Sequence, residues 1–296
     1  MKNNFPEIKL TSLDNLWFQV SGTICNIACK HCFNNSSPIN HSFEFLSLEQ
    51  CKSYIDDAVK IGVKEFYFTG GEPFANNEIL NILEYTLSFG PATVLTNGIL
   101  IKEGTAKRLN GIQSSSIYSL ELRISLDGYT EEMNDKIRGL GVFKNTIKSI
   151  KLLYENNFLP IITITKTWEE SDEDIILNEF KDLLFKNGYK RPRLKILPSI
   201  KIGKEVLRTK GYENYEYVYE EMLQDYDTSQ LICSNSRLVT SKGVYVCPIL
   251  IEPDDSKLGS TLSEASKSYR LSHQACYTCY LYGAICSNFS SGRRDA

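Results

Sequence analysis

No sign of charge dominates this chain of 296 residues: 33 Lys and Arg stand against 36 Asp and Glu, for a net charge of −3. Proteins that live on nucleic acid carry a broad basic excess; none is present, so no nucleic-acid partner is expected. Long apolar runs are missing too. None approaches the roughly 18–20 residues that a membrane span needs, and the stretch Met1–Asn15 lacks the apolar core of a signal peptide. The expected compartment is the cytoplasm, with no membrane partner. There is no low-complexity tract. With 42% hydrophobic and 23% charged residues, the disordered and fibrous classes are excluded.

Cysteine is absent from the middle of the chain and concentrated at its two ends. The nine are Cys25, Cys29, Cys32, Cys51, Cys233, Cys247, Cys276, Cys279 and Cys286. A disulfide framework would not leave the long middle unstapled, and in a reducing compartment such clusters point to metal or catalysis. Cys51 stands apart. With Leu48, Tyr54, Ile55 and Ala58 it forms a stripe at helical spacing, where a free cysteine behaves as a small hydrophobe.

From residue 16 to about 200, short apolar runs alternate with helical patterns. Strands are expected at Leu16–Val20, Glu65–Phe68, Ala92–Thr96, Leu120–Leu126, Pro160–Thr165 and Leu194–Leu197. Helices are expected at Ser47–Ile61, Glu78–Phe89, Glu103–Leu109, Phe143–Asn156 and Asp172–Lys186. Ser47 and Gln50 are placed as a capping box and Gly62 as the stop. Such repeats imply a parallel sheet, because only a crossover returns the chain to the same end. Six strands fall short of the eight of a closed barrel, so the expected fold is α/β, an open, partial (β/α)6 barrel. Its chemistry belongs on the loops after the C-terminal strand ends. Cys25–Cys32, Thr69–Pro73, Asn97-Gly98 and Asp127-Gly128 fall there, after strands one to four.

Beyond residue 198 the pattern changes. Lys186–Lys210 carries nine Lys or Arg against one Glu, and Tyr212–Tyr226, rich in Tyr and Glu, reads as a helix. The two stretches are expected to be solvated faces that partly pair with each other; a positive rim for an anionic substrate is the sharper alternative. From Cys233 onward the chain reads as a small cysteine-ligated module.

Three thiolates within Cys25-Asn-Ile-Ala-Cys29-Lys-His-Cys32 can bind three irons of a 4Fe–4S cube and leave the fourth open, as a reactive site requires. A zinc site with one remote ligand is the plainer alternative. One β–α unit later comes Thr69-Gly70-Gly71-Glu72-Pro73. Its glycines permit close backbone approach to a ligand, and Glu72 can accept a bond from a cationic amine.

Together these residues resemble the radical S-adenosylmethionine (SAM) superfamily, with its C-x3-C-x2-C and GGEP-type motifs, over roughly residues 14–200. The resemblance implies that Cys25, Cys29 and Cys32 bind the cluster, whose open iron chelates SAM. One electron then breaks the sulfonium C–S bond, and a 5′-deoxyadenosyl radical abstracts a substrate hydrogen. It places His31 beside the adenine and Gly70, Gly71 and Glu72 at the methionine amino group. Asn97 and Ser125 fall where ribose and carboxylate are met, and Arg138 matches the arginine that pairs with that carboxylate. For these last three the plainer alternatives are a turn residue, a strand-end hydroxyl and a surface charge. An electron donor such as flavodoxin or ferredoxin is implied.

Cys233 and Cys247 flank a hairpin with Lys242-Gly243 at its turn, followed by Cys276-Tyr-Thr-Cys279 and then Cys286. This is similar to the Twitch module of the SPASM/Twitch subfamily, which implies one auxiliary 4Fe–4S cluster with Cys233, Cys247, Cys276 and Cys279 as ligands. Cys286 would be a substitute ligand, a catalytic hydrogen donor or structural; a zinc ribbon is the alternative for the whole set. The expected domains are a radical SAM core over residues 14–215 and the module over 216–296. Relatives with such modules modify peptides by crosslinking or epimerisation, or oxidise sugars and aminocyclitols. The expected function is peptide modification, with small-molecule oxidation as the alternative and a zinc-stabilised binding protein as the non-enzyme alternative. Twenty-four residues precede Cys25, too few for a fused leader-binding domain, so a separate recognition protein or a leader-free substrate is expected.

Overall fold

The computed structural model describes residues 4–283. In chain order the elements are β1 (Glu7–Ile8), β2 (Asn15–Gln19), α1 (Leu48–Ile61), β3 (Glu65–Thr69), α2 (Ile79–Thr86), β4 (Ala92–Thr96), α3 (Glu103–Ser114), β5 (Leu120–Ser125), α4 (Glu131–Arg138), α5 (Val142–Glu155), β6 (Ile161–Thr165), α6 (Glu173–Lys186), β7 (Arg193–Leu197), α7 (Val206–Thr209), β8 (Ser236–Thr240), β9 (Gly243–Tyr245), β10 (Lys257–Gly259), β11 (Tyr269–Arg270) and α8 (Ala275–Tyr282).

Local chemistry sets the element boundaries. At the start of α1 the Gln50 N–H donates to Ser47 Oγ and the Ser47 N–H to Gln50 Oε1, while Gly62 ends the helix at φ +93°. That left-handed turn is open to glycine at no steric cost. Cys51, Ile55 and Ala58 form the buried stripe of α1. In β2 and β3 successive side chains face opposite sides of the sheet. Trp17 stacks on Tyr67 with ring centroids 4.2 Å apart, and their chain neighbours Phe18 and Phe68 stack at 5.4 Å.

Strands β2 to β7 lie side by side in chain order and are parallel throughout. The sheet is open: β7 is one edge, and β2 pairs on its other side with β8. This is the α/β partial barrel. The C-terminal hairpin β8–β9 continues the same sheet, β8 parallel to β2 and β9 antiparallel to β8, with β10 beyond. A second tie joins β1 to β11 antiparallel.

Two readings of the sequence are corrected. Tyr212–Tyr226 is not an α-helix; it holds one short 3₁₀ turn, Glu220–Leu223. Its tyrosines are spent on tertiary contacts: Tyr217 and Tyr219 pack on Phe5, and the Tyr212 hydroxyl lies 2.6 Å from that of Thr278. Helix α3 runs past Leu109 to Ser114, because Ile112 continues the buried stripe of Ala106 and Leu109. The basic stretch pairs with its neighbour through Lys201 and Glu216 at 2.9 Å, while Arg208 pairs within its own stretch, with Glu205 at 2.8 Å.

Candidate active site

The cysteine loop leaves β2 and is sewn to the loop after β3. The Gly71 N–H donates to the Gly22 carbonyl at 2.8 Å and the Glu72 N–H to the Ile24 carbonyl at 3.0 Å. The fit leaves no room for side chains. A Cβ on Gly71 would stand 2.1 Å from the Ile24 oxygen, and one on Gly70 2.3 Å from Ser21 Oγ. The close approach is therefore available only to glycine.

Cys25 and Cys29 are buried and Cys32 is half-buried; all three are free thiols. Burial pushes the Cys25 thiol up to about 12, and Cys29 is raised by burial as well. Thiols in such a place become thiolates when a cation takes the charge. Donors are already aimed at the sulfurs: the Ser36 N–H at Cys32 Sγ, 3.2 Å away, and Asn97 Nδ2 at Cys25 Sγ, 3.7 Å away.

Asp127 is the hub on the opposite side. Its carboxylate lies 2.6 Å from Arg138 Nε and 2.8 Å from His31 Nε2, and accepts the Thr165 N–H at 2.7 Å. The Lys30 N–H also donates to the Ile137 carbonyl. The end of α4 is thus locked to the cysteine loop. Burial alone would raise the Asp127 carboxyl, but the Arg138 charge, with the bonds from His31 and the Thr165 N–H, outweighs it and holds it well below the usual range.

Cys25, Cys29, His31, Cys32, Gly70, Gly71, Asn97, Ser125 and Arg138 all line one cleft of about 220 Å³ at the C-terminal ends of the strands. Glu72 stands behind this wall. It is fully buried, and its carboxylate accepts bonds from Thr96 Oγ1 at 2.5 Å, the Asn97 N–H at 2.8 Å and the Phe74 N–H at 3.1 Å. Burial pushes its carboxyl up to about 6 against those bonds. Glu72 thereby fixes the strand end that presents Asn97.

Sequence reasoning placed Asp127 at a strand end without giving it a role, and it missed α4, which Thr130 caps by accepting the Met133 N–H. Thr-Glu-Glu before a helical stretch was the available signal. Arg123, also missed, lies two residues before Ser125 on the same strand face, buried in the cleft wall.

The second cysteine group gathers as well. Cys233, Cys247, Cys276 and Cys279 are all buried and line one apolar cavity. Cys247 precedes the backbone N–H groups of Ile249 and Leu250, which donate to it; burial raises its thiol, and that of Cys233 to about 12. Cys286 lies outside the described residues. Among the described residues no three His, Cys, Asp or Glu side chains close on a single metal ion. A 4Fe–4S cube does not ask for that: it takes one thiolate per iron, so its ligands stand around it at separate corners. Both donor sets, thiol-only and largely buried with Cys32 half-buried at the cleft, fit such a group.

Sequence comparison agrees with this geometry. The radical SAM superfamily model matches residues 20–177, more than half of the chain. The chain belongs to the radical SAM superfamily, a family whose cofactors are a 4Fe–4S cluster and SAM. Among curated proteins, the mycofactocin maturase MftC of Mycolicibacterium smegmatis is 27% identical over 223 residues, 75% of this chain and 52% of that one. The AdoMet-dependent heme synthase of Oleidesulfovibrio alaskensis is 32% identical over 133 residues, 44% of this chain and 32% of that one. The chain thus spans about half or less of these relatives. Among solved structures, Streptococcus suis SuiB bound to precursor peptide SuiA superposes with a TM-score of 0.62 at 18% identity, over 89% of this chain and 66% of SuiB; the likeness is one of fold. Among the described residues no helix is long and apolar enough to cross a membrane.

Proposed function

We propose that this member of the radical SAM superfamily is an enzyme that modifies a peptide, by crosslinking or epimerisation, and that residues 216–296 form a Twitch-like module behind a core of residues 14–215. In this reading Cys25, Cys29 and Cys32 hold the first cluster. With SAM bound it supplies a 5′-deoxyadenosyl radical that takes a hydrogen atom from the substrate. Arg138 and Ser125 face the SAM carboxylate, the backbone of Gly70 and Gly71 the amino group, Asn97 the ribose and His31 the adenine. Glu72 shapes the wall from behind, and Asp127 holds His31 and Arg138 in place. Cys233, Cys247, Cys276 and Cys279 hold a second 4Fe–4S cluster, with Cys286 as a reserve ligand, a hydrogen donor or a structural residue. Flavodoxin or ferredoxin is the electron donor.

One observation carries the reading: residues from the ends of four successive strands and from α4 converge on a single cleft beside three buried or half-buried thiols. The peptide is supported by SuiB, a protein of this fold whose structure holds a precursor peptide. Small-molecule oxidation is the second reading, favoured by the match to a heme synthase. Dithionite-reduced protein, SAM and the short peptides encoded by neighbouring genes form the test. A changed peptide mass together with 5′-deoxyadenosine release is expected. Release of 5′-deoxyadenosine coupled only to a small molecule would sink the peptide reading.

A further inference from the structure

The cavity lined by the four C-terminal cysteines is otherwise apolar, with Leu231, Ile232, Val246 and Leu271 among its walls. Tyr269 also lines it, and its hydroxyl is buried with no hydrogen-bond partner. The ring is held from two sides: β11 pairs with β1 at Ile8, and His273 stacks on it at 6.5 Å. The groups that act on the Tyr269 hydroxyl electrostatically are Cys276, Asp255, Cys247 and Cys233, three of them thiols of this cavity. A second phenol repeats the pattern. Tyr226 has a buried hydroxyl with no partner, and its ring packs at 4.9 Å on Tyr280, the residue that follows Cys279.

A buried hydroxyl with no partner is costly. One such hydroxyl in the wall of the thiol cavity, and a second on a ring packed against the neighbour of Cys279, call for an acceptor, and sulfur is what that cavity offers. A thiol is a weak acceptor, whereas cluster thiolates and sulfides carry negative charge. Arg237 adds a cation to the same place. It is fully buried, donates to the carbonyls of Cys233 and Ala265 at 2.8 and 2.9 Å, and faces Cys233 and Cys247 electrostatically.

We propose that Tyr269 and Tyr226 donate hydrogen bonds to the sulfurs of the group that the C-terminal cysteines hold, and so raise its reduction potential. The proposal rests on the second-cluster reading above. No proton is transferred. The reduced cluster carries one more negative charge than the oxidised one, so a fixed O–H dipole and a nearby cation stabilise it more. The tyrosines act through the cluster and are positioning residues, not catalytic ones.

The test is a redox titration of the anaerobically reconstituted full chain followed by EPR. The midpoint that persists in the Cys29→Ala variant belongs to the second cluster. Tyr269→Phe combined with Tyr226→Phe is expected to lower that midpoint by about 59 mV, a tenfold loss in electron affinity for a one-electron couple. Iron content should stay at the wild-type value. In deuterium oxide, pulsed EPR of the reduced second cluster should show exchangeable-deuteron couplings that weaken in the double variant, where those of the Ile249 and Leu250 N–H groups at Cys247 remain. An unmoved midpoint with full iron overturns the proposal. A wild-type chain with iron for the first cluster alone overturns it together with the second-cluster reading, and iron content tells which has failed.

Discussion

At the scale of single residues, the two buried carboxylates of the site have opposite signs in pH. Asp127 is held below the ordinary range, so its contribution to stability is present above the unfolded value near 3.8 and is lost as pH falls further. Glu72 runs the other way. Its folded value, about 6, lies above the unfolded 4.5. The protonated form therefore favours the folded state, and that advantage is lost as pH rises from 4.5 through 6. The shift corresponds to roughly 2 kcal/mol for this fully buried group. Urea unfolding of the wild type at pH 4.5 and pH 7 is expected to show such a fall in stability, which Glu72→Gln does not show. Equal pH dependence in both proteins would remove Glu72 as its source. The groups that lower Glu72 most are neutral donors, on Thr96, Asn97 and Phe74, with the Arg138 charge acting less. That is why the carboxylate fails to reach the low value that Asp127 attains.

At the scale of elements, the site depends on how the loops after β2, β3 and β5 interlock. Gly71→Ala forces a Cβ into the Ile24 carbonyl, beside Cys25. Strain of this kind costs about 1–3 kcal/mol, and because the loop that must yield carries the cysteines, SAM cleavage should fall further than stability does. Cleavage at the wild-type rate would show that the loop relaxes without disturbing the thiols. Asp127→Asn leaves the Arg138 guanidinium buried beside a neutral amide. Breaking a buried pair on one side costs about 3–5 kcal/mol, to be measured by urea unfolding, with weaker SAM binding in equilibrium dialysis. Much of this framework was legible from residue pattern alone. The capping box of α1, the six β–α units and the motif positions at strand ends all rest on local chemistry, which a sequence carries openly. What was not legible arises from tertiary partners. Glu72 reads as a ligand in its motif, yet Thr96 and Asn97, from the next strand, claim its carboxylate. Tyr212–Tyr226 lacks helix because its rings have distant partners, such as Phe5 and Thr278. Asp127 reads only as a strand-end residue until α4 folds back on it.

At the scale of the whole molecule, the sheet joins the two cysteine groups. Strand β8 lies against β2, the strand that launches the first cysteine loop, and just before β8 comes Cys233. The second group is therefore built onto the barrel edge, and its effect on the first site can be asked directly. Two 4Fe–4S clusters predict close to eight irons and eight sulfides per chain, about half of which should remain when Cys25, Cys29 and Cys32 are replaced by Ala. Stoichiometric zinc in the C-terminal set would replace the cluster reading. Cys276→Ala then separates a working group from a structural one. If the second cluster serves turnover, the variant loses iron and substrate conversion but still cleaves SAM when substrate is absent, because the cleft and its three thiols are intact. If the group mainly holds the fold, the same change lowers stability and SAM cleavage together, since metal binding in a small module is also folding energy. The geometry favours the first outcome. The aromatic stacks between β2 and β3, Trp17 on Tyr67 and Phe18 on Phe68, do not involve the C-terminal cysteines, although these share the same buried core, and the first cysteine loop is tied to the loop after β3 by its own backbone bonds. Retained SAM cleavage with conversion lost is therefore expected, measured as 5′-deoxyadenosine release with and without substrate.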